Sequence, residues 1–115
     1  MKFILPYPPS ANRYFRVPRA LGYPITSREA RDYKKNAGLD ARSQGAVIMP
    51  GPLQVSVDVY RPRRIGDLDN QIKILFDAMN GIAWSDDSQV VDIHLRRFDD
   101  KDNPRLEVEI LPAKI

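Results

Sequence analysis

The apolar positions of this chain follow two periods. Leu53, Val55, Val57 and Val59 alternate with Gln54, Ser56, Asp58 and Tyr60, which predicts a strand buried on one face. Val91, Ile93 and Leu95 alternate through a second such stretch, and Leu106, Val108 and Ile110 through a third. The last two are expected to pair as a hairpin around the polar turn Asp99-Asp100-Lys101-Asp102-Asn103. Leu68, Ile72, Leu75, Phe76 and Met79 recur at helical spacing, predicting a helix from about Asp67 to Asn80 that stops at Gly81. Ala30, Tyr33, Ala37 and Ala41 trace an earlier helix, opened by Thr26-Ser27-Arg28-Glu29 with the pattern of a capping box. Arg28, Arg31, Lys35 and Arg42 lie on another face of it, and Gly38 weakens it midway.

A short apolar run at residues 2–7 reads as an edge strand, ended by Pro8-Pro9. A loop follows through Tyr14 and Phe15 to Pro24. The order is β-α-β-α-β-β. It predicts a single small α/β domain over residues 1–115, with a mixed β-sheet and helices packed mainly on one face. Trp84, Phe76 and Phe98 are expected in or near the core.

Composition narrows the function. Apolar residues are 43% and charged residues 29% of the 115, which suits a globular chain rather than a disordered one. The absence of cysteine excludes disulfides, zinc–thiolate sites and a cysteine nucleophile. The opening apolar run is too short for the core of a signal peptide, and no stretch approaches the roughly 18 apolar residues of a membrane span. A cytoplasmic protein is expected. The net charge of +3 is unevenly spread: residues 1–45 carry +6 and residues 46–115 carry −3. A basic first part suits a polyanion. An acid-rich second part suggests a metal ion.

The densest chemistry is Gly66-Asp67-Leu68-Asp69-Asn70, at the expected strand-to-helix turn. Asp69 and Lys73 are one helical turn apart and can serve one site. Arg61, Arg63 and Arg64 lie just upstream, where a phosphate needs positive charge. Asp86-Asp87 follows the helix and can face Asp67 and Asp69. Such carboxylates suit magnesium, and Lys73 can stabilise charge on phosphate. The plainer readings are an ordinary helix cap with an i,i+4 ion pair, and a solvated turn at Asp86-Asp87. The spacing does not fit a calcium-binding EF-hand, because Ile72 and Ala78 stand where Gly and Glu are needed. His94, the only histidine, sits on the polar side of its strand beside Asp92 and Arg96, and reads as a surface or cross-strand residue. Tyr14 and Phe15, between Arg13 and Arg16, suit either stacking on bases or anchoring of the loop.

Four segments resemble the RusA family of Holliday-junction resolvases. They are Pro8-Pro9-Ser10-Ala11-Asn12-Arg13-Tyr14, residues Arg63 to Lys73, Phe76-Asp77-Ala78-Met79, and Trp84-Ser85-Asp86-Asp87-Ser88-Gln89-Val90-Val91. The match is collinear over nearly the whole chain, and residues 17–50 contribute little to it. The resemblance implies a homodimer that binds four-way junction DNA and cuts two strands symmetrically, using Mg2+ or Mn2+ and no small-molecule cofactor. By position, Asp67, Asp69 and Asp87 match the metal-binding carboxylates and Lys73 the catalytic lysine. Asp86 fills the less critical acid of its pair. Asn12, Arg13 and Arg16 match the N-terminal motif and are expected to approach DNA, with Arg63, Arg64 and Asn70. The proline-rich residues 17–26 depart from the family. Many members come from phages and prophages. The rival expectations are a non-catalytic basic DNA-binding module and a metal-dependent hydrolase of small phosphoesters.

Overall fold

The apolar ladders assemble one sheet. The structure is a computed structural model, and it describes residues 1–9, 15–16, 25–63 and 68–114, with backbone alone at 15–16, 25–26 and 68–71. The strands are β1 (Lys2–Pro6), β2 (Phe15–Arg16), β3 (Ile25–Thr26), β4 (Leu53–Arg61), β5 (Val90–Asp99) and β6 (Arg105–Pro112). The helices are α1 (Arg28–Ser43) and α2 (Leu68–Met79), and a 3-10 turn at Asp87–Gln89 precedes β5. The six expected elements are found, but the order β-α-β-α-β-β is not exact, because two short strands stand between β1 and α1. Phe15 pairs with Thr26 and Arg16 with Ile25, so a two-residue ribbon ties the region read as loop to the segment just before α1, where Thr26 is expected to open the helix.

The main sheet runs β1-β6-β4-β5. β4 and β5 are parallel, a pairing that requires a crossover, and α2 supplies it. The other neighbours are antiparallel, so the sheet is mixed, as expected. The expected β5–β6 hairpin is not formed. β6 lies between β1 and β4, while β5 lies on the far side of β4. The reason is burial. Leu106, Val108 and Ile110 face Val59, Val57 and Val55 across one ladder, and Leu5 and Phe3 pair with Leu106 and Val108 across the other. Only a central position buries β6 in this way. β5 is an edge strand, and Val91 and Ile93 remain 57% and 41% exposed. They are not core residues, contrary to their alternation. The chain rounds the end of β4 after β5, where the Asp100 N–H donates to the Arg61 carbonyl at 2.9 Å.

Both helices contribute to the core on this apolar face. Ala30, Ala37 and Ala41 from α1 and Ile74, Leu75, Ala78 and Met79 from α2 are buried with the strand residues. Tyr33 is buried too and donates its hydroxyl to the Pro6 carbonyl at 2.8 Å, which satisfies a polar group that burial would otherwise strand. The cap of α1 falls on Ser27, whose Oγ accepts from the Ala30 N–H at 3.2 Å. Position N3 is therefore Ala30 and not Glu29, so the cap of α1 is not the box that the sequence suggests. Gly38 does not interrupt α1, which runs to Ser43. A Cβ there would meet the Ile82 side chain at 3.3 Å, so glycine serves a close approach of the segment after α2.

The opposite face of the sheet carries alternating polar residues. The free edge of β1 is closed by Gln44. Its side-chain amide donates to the Ile4 carbonyl and accepts from the Ile4 N–H, both at 2.7 Å. That side chain takes the place of a neighbouring strand and blunts the edge.

Candidate active site

The site is built from the two connections that flank α2. The first leaves β4 through Arg61-Pro62-Arg63. Arg61 is not available to a ligand. It pairs with Asp99, its register partner on β5, so one of the three upstream arginines is structural. Arg63 is exposed. Arg64 and Asp67 lie outside the described residues, as do Asn12, Arg13 and Tyr14. Asp69 and Asn70 lie in the first turn of α2, and Arg16 lies in β2, each described by backbone alone. Lys73 stands exposed on the next turn of α2, preceding the buried Ile74 and Leu75. The helix therefore presents its apolar stripe to the core and Lys73 to solvent.

The second connection begins where α2 ends. Gly81 has φ +79°, a left-handed conformation that glycine adopts at little cost. Its N–H donates to the Trp84 carbonyl at 2.7 Å. Trp84 is fully buried, meets Phe76 edge-on at 5.4 Å, and donates its indole N–H to Asn80 Oδ1 at 2.7 Å. A large aromatic so placed anchors the connection to the end of α2. The next residues form a capped turn, not a simple solvated loop. Asp86 is its N-cap, with Oδ1 accepting from the Ser88 N–H at 3.1 Å. Gln89 completes a capping box, its Oε1 accepting from the Asp86 N–H at 3.2 Å. The 3-10 turn packs against α2 at the end where the helix stops, because Val90 pairs in parallel with Leu53 at the start of β4. Contrary to expectation, Asp86 and Asp87 do not cross back to the first turn of α2, which lies about 15 Å along the helix.

The two adjacent acids have different duties. Asp86 is committed to the cap. Asp87 is half-buried, and its carboxylate makes no hydrogen bond or ion pair among the described residues. No group of three or more His, Cys, Asp or Glu side chains gathers at a metal-binding spacing among the described residues. Two of the three expected carboxylates, Asp67 and Asp69, have side chains outside them. By its chemistry the donor set fits a hard divalent ion: all its ligating atoms are carboxylate oxygens. No described helix is long and apolar enough to cross a membrane.

Sequence reasoning gave no role to Gln89, although it lies inside a motif. The signal was present in the spacing, since Asp86 and Gln89 stand three apart as an N-cap and its box partner do. His94 is exposed on the open face, with Nε2 3.1 Å from Asp92 Oδ1, as its place on the polar side of the strand predicts. Phe98 is 39% exposed on the same face, stacked on Tyr60 with centroids 5.0 Å apart, so it is not a core residue.

A lysine and acids on one helix and in the connections at its two ends, with arginine leading into it, suit a nuclease. Comparison with known proteins makes this specific. The model of the family described as Endodeoxyribonuclease RusA matches residues 6–111. The chain belongs to that family of endodeoxyribonucleases. It is 36% identical over 109 residues to the crossover junction endodeoxyribonuclease RusA of Escherichia coli (strain K12), covering 92% of this chain and 89% of that protein. It is 37% identical over 109 residues to the protein of the same name from Enterobacteria phage 82, with the same coverage. The Shigella sonnei protein of that name is 36% identical over 115 residues, again with 92% and 89% covered.

Proposed function

We propose that this chain resolves four-way DNA junctions, as a homodimer, by hydrolysing phosphodiester bonds with the help of a divalent metal ion. The observation that supports the reading is the Asp86-capped turn packed beside α2. It holds the half-buried Asp87 in a fixed turn beyond the last residue of the helix whose first two turns carry Asp69 and Lys73. In this reading Asp67 and Asp69, with Asp87 of the partner subunit in the homodimer, hold Mg2+, or Mn2+ in its place, because within one chain the length of α2 separates them. The bound ion supplies Lewis-acid polarisation of the phosphate and acidifies water. Lys73 contributes positive charge where phosphate oxygens gain negative charge, and it stands exposed on the surface that a large substrate would meet. Arg63, Arg64 and Asn70, with Asn12, Arg13 and Arg16 from the N-terminal segment, bind and orient the DNA. The homodimer is proposed because two symmetric nicks on a two-fold substrate suit a two-fold protein. The protein would work in the cytoplasm, where its DNA substrate lies.

The test is cleavage of a synthetic four-way junction with Mg2+, comparing the wild type with Asp69→Asn and using a linear duplex as control. The wild type should cut the junction and leave the duplex, whereas the variant should bind the junction without cutting it. Removing a carboxylate reduces repulsion of phosphate, so binding is expected to be kept or tightened. Binding without cleavage by the wild type at any metal concentration would instead favour the basic DNA-binding module.

A further inference from the structure

The hydrogen bonding of Gln89 exceeds what a short cap requires. Its Oε1 accepts from the Ser85 N–H at 2.9 Å and the Asp86 N–H at 3.2 Å. Its Nε2 donates to the carbonyls of Met49 at 2.8 Å and Gly51 at 2.9 Å. Both amide donors and both acceptor positions are used. A capping box needs only the bond back to the Asp86 N–H. The two bonds to residues 49–51 reach instead to the segment that enters β4. The same two regions are tied again by the Met49 N–H donating to the Ala83 carbonyl at 2.9 Å. Asp87 lies inside the turn so held, and its carboxylate has no protein partner among the described residues that would orient it. Its position is therefore set by its backbone, and Gln89 ties that backbone down.

We propose that Gln89 is a positioning residue, which fixes the Asp87 carboxylate for metal binding by clamping its turn to the 49–51 segment. This rests on the assignment of Asp87 to the metal site in the proposed function. Removing the clamp leaves the Asp86–Ser88 bond in place. It loosens the tie of the turn to the start of β4, where the Met49–Ala83 bond remains, so Asp87 samples more positions and the ion loses a preorganised ligand.

The test uses the full chain with Gln89→Ala and Gln89→Glu. Glutamate keeps an oxygen for the Ser85 and Asp86 N–H groups but cannot donate to the two carbonyls. It also keeps the test available if the alanine variant does not fold. Four quantities are measured: Mn2+ affinity by calorimetry, the Mg2+ concentration giving half-maximal junction cleavage, metal-free junction affinity, and thermal unfolding. Gln89→Ala should weaken Mn2+ binding about tenfold and raise the half-maximal Mg2+ by a similar factor, as loss of a ligand-orienting partner does. Saturating Mg2+ should restore most of the rate, and junction affinity should be unchanged. Gln89→Glu should shift in the same direction. A residue that only supports the fold would lower unfolding temperature and rate at all Mg2+ concentrations alike, leaving Mn2+ affinity unchanged, and that result overturns the proposal. Asp87→Asn separates the two ideas. If it binds Mn2+ and cuts as the wild type does, the assignment of Asp87 has failed. If it is impaired while both Gln89 variants bind Mn2+ normally, only the role of Gln89 has failed.

Discussion

Two acid-rich regions of this molecule behave in opposite ways. On and around the open face of the sheet, acids are matched to bases. Asp58 receives two bonds from Arg96, both at 2.9 Å. Arg105 bridges Glu107 at 2.7 Å and Asp100 at 2.9 Å. Glu109 lies 3.3 Å from Lys2, and Asp99 holds Arg61. The pairing registers in acidity: hydrogen bonding to Asp58 holds the Arg96 guanidinium above its ordinary value, and Glu107 followed by Asp100 does so for Arg105. At the head of β5 the arrangement is different. Asp86 is spent on a cap, and Asp87 beside it has no partner among the described residues. The −3 balance of residues 46–115 therefore arises largely from acids that complete a sheet surface. Acid density is a poor sign of a metal site. A held carboxylate lacking a base is a better one.

Exchanging one carboxylate from each region for its amide tests this distinction most strongly. Asp87→Asn should lower single-turnover junction cleavage by at least about 100-fold while leaving junction binding and unfolding temperature nearly unchanged. Asp58→Asn breaks a surface pair and should keep cleavage within about twofold of wild type. If Asp58→Asn abolished cleavage in a folded protein, the open face would belong to the working surface and the contrast would collapse. A smaller effect is expected from the anchor behind the Asp87 turn. Trp84→Phe removes the indole bond to Asn80 and part of a buried ring. It should cost about 2 kcal/mol, lowering the unfolding temperature by roughly 5–10 °C. Cleavage should fall about tenfold at limiting Mg2+, because the turn is displaced from α2. An unchanged rate at the lower stability would mean that Trp84 supports the fold without serving Asp87.

Much of the scaffold was legible because periodicity reports burial. The β4 alternation, the stripe of α2 and its stop at Gly81 all follow from one-sided contact with the core. Strand order was not legible, since alternation says which face is buried and not which neighbour covers it. β5 and β6 carry similar patterns, yet only β6 has ladders on both sides. The motifs located the chemistry at both ends of α2, but spacing did not distinguish the adjacent Asp86 and Asp87. Their difference lies in which of the two takes the Ser88 N–H, a matter of local φ and ψ. Gln89 escaped notice because its partners at 49–51 are remote in sequence and are backbone carbonyls, which leave no side-chain signature. Arg61 looked like Arg63 and Arg64 until the parallel register set it opposite Asp99.

The weakest handle on the comparison is pH, and it acts only on the paired region. Asp100 has its carboxyl held below the ordinary 3.8, chiefly by Arg105 and then by the Asn103 N–H. A group whose acidity is strengthened by folding stabilises the native state fully above its unfolded value, and that contribution disappears as pH falls through the lower folded value. Wild-type stability should therefore drop from pH 7 to below about pH 4 in part because Asp100 takes up a proton. Asp100→Asn has nothing to titrate there, so its urea midpoint should fall less over the same interval. The difference should be small, because the pair lies at the surface where solvent screens it. Equal losses in the two proteins would mean that Arg105 holds Asp100 in geometry without stabilising the fold, and the matched acids of the open face would then count as surface charge with no share in stability.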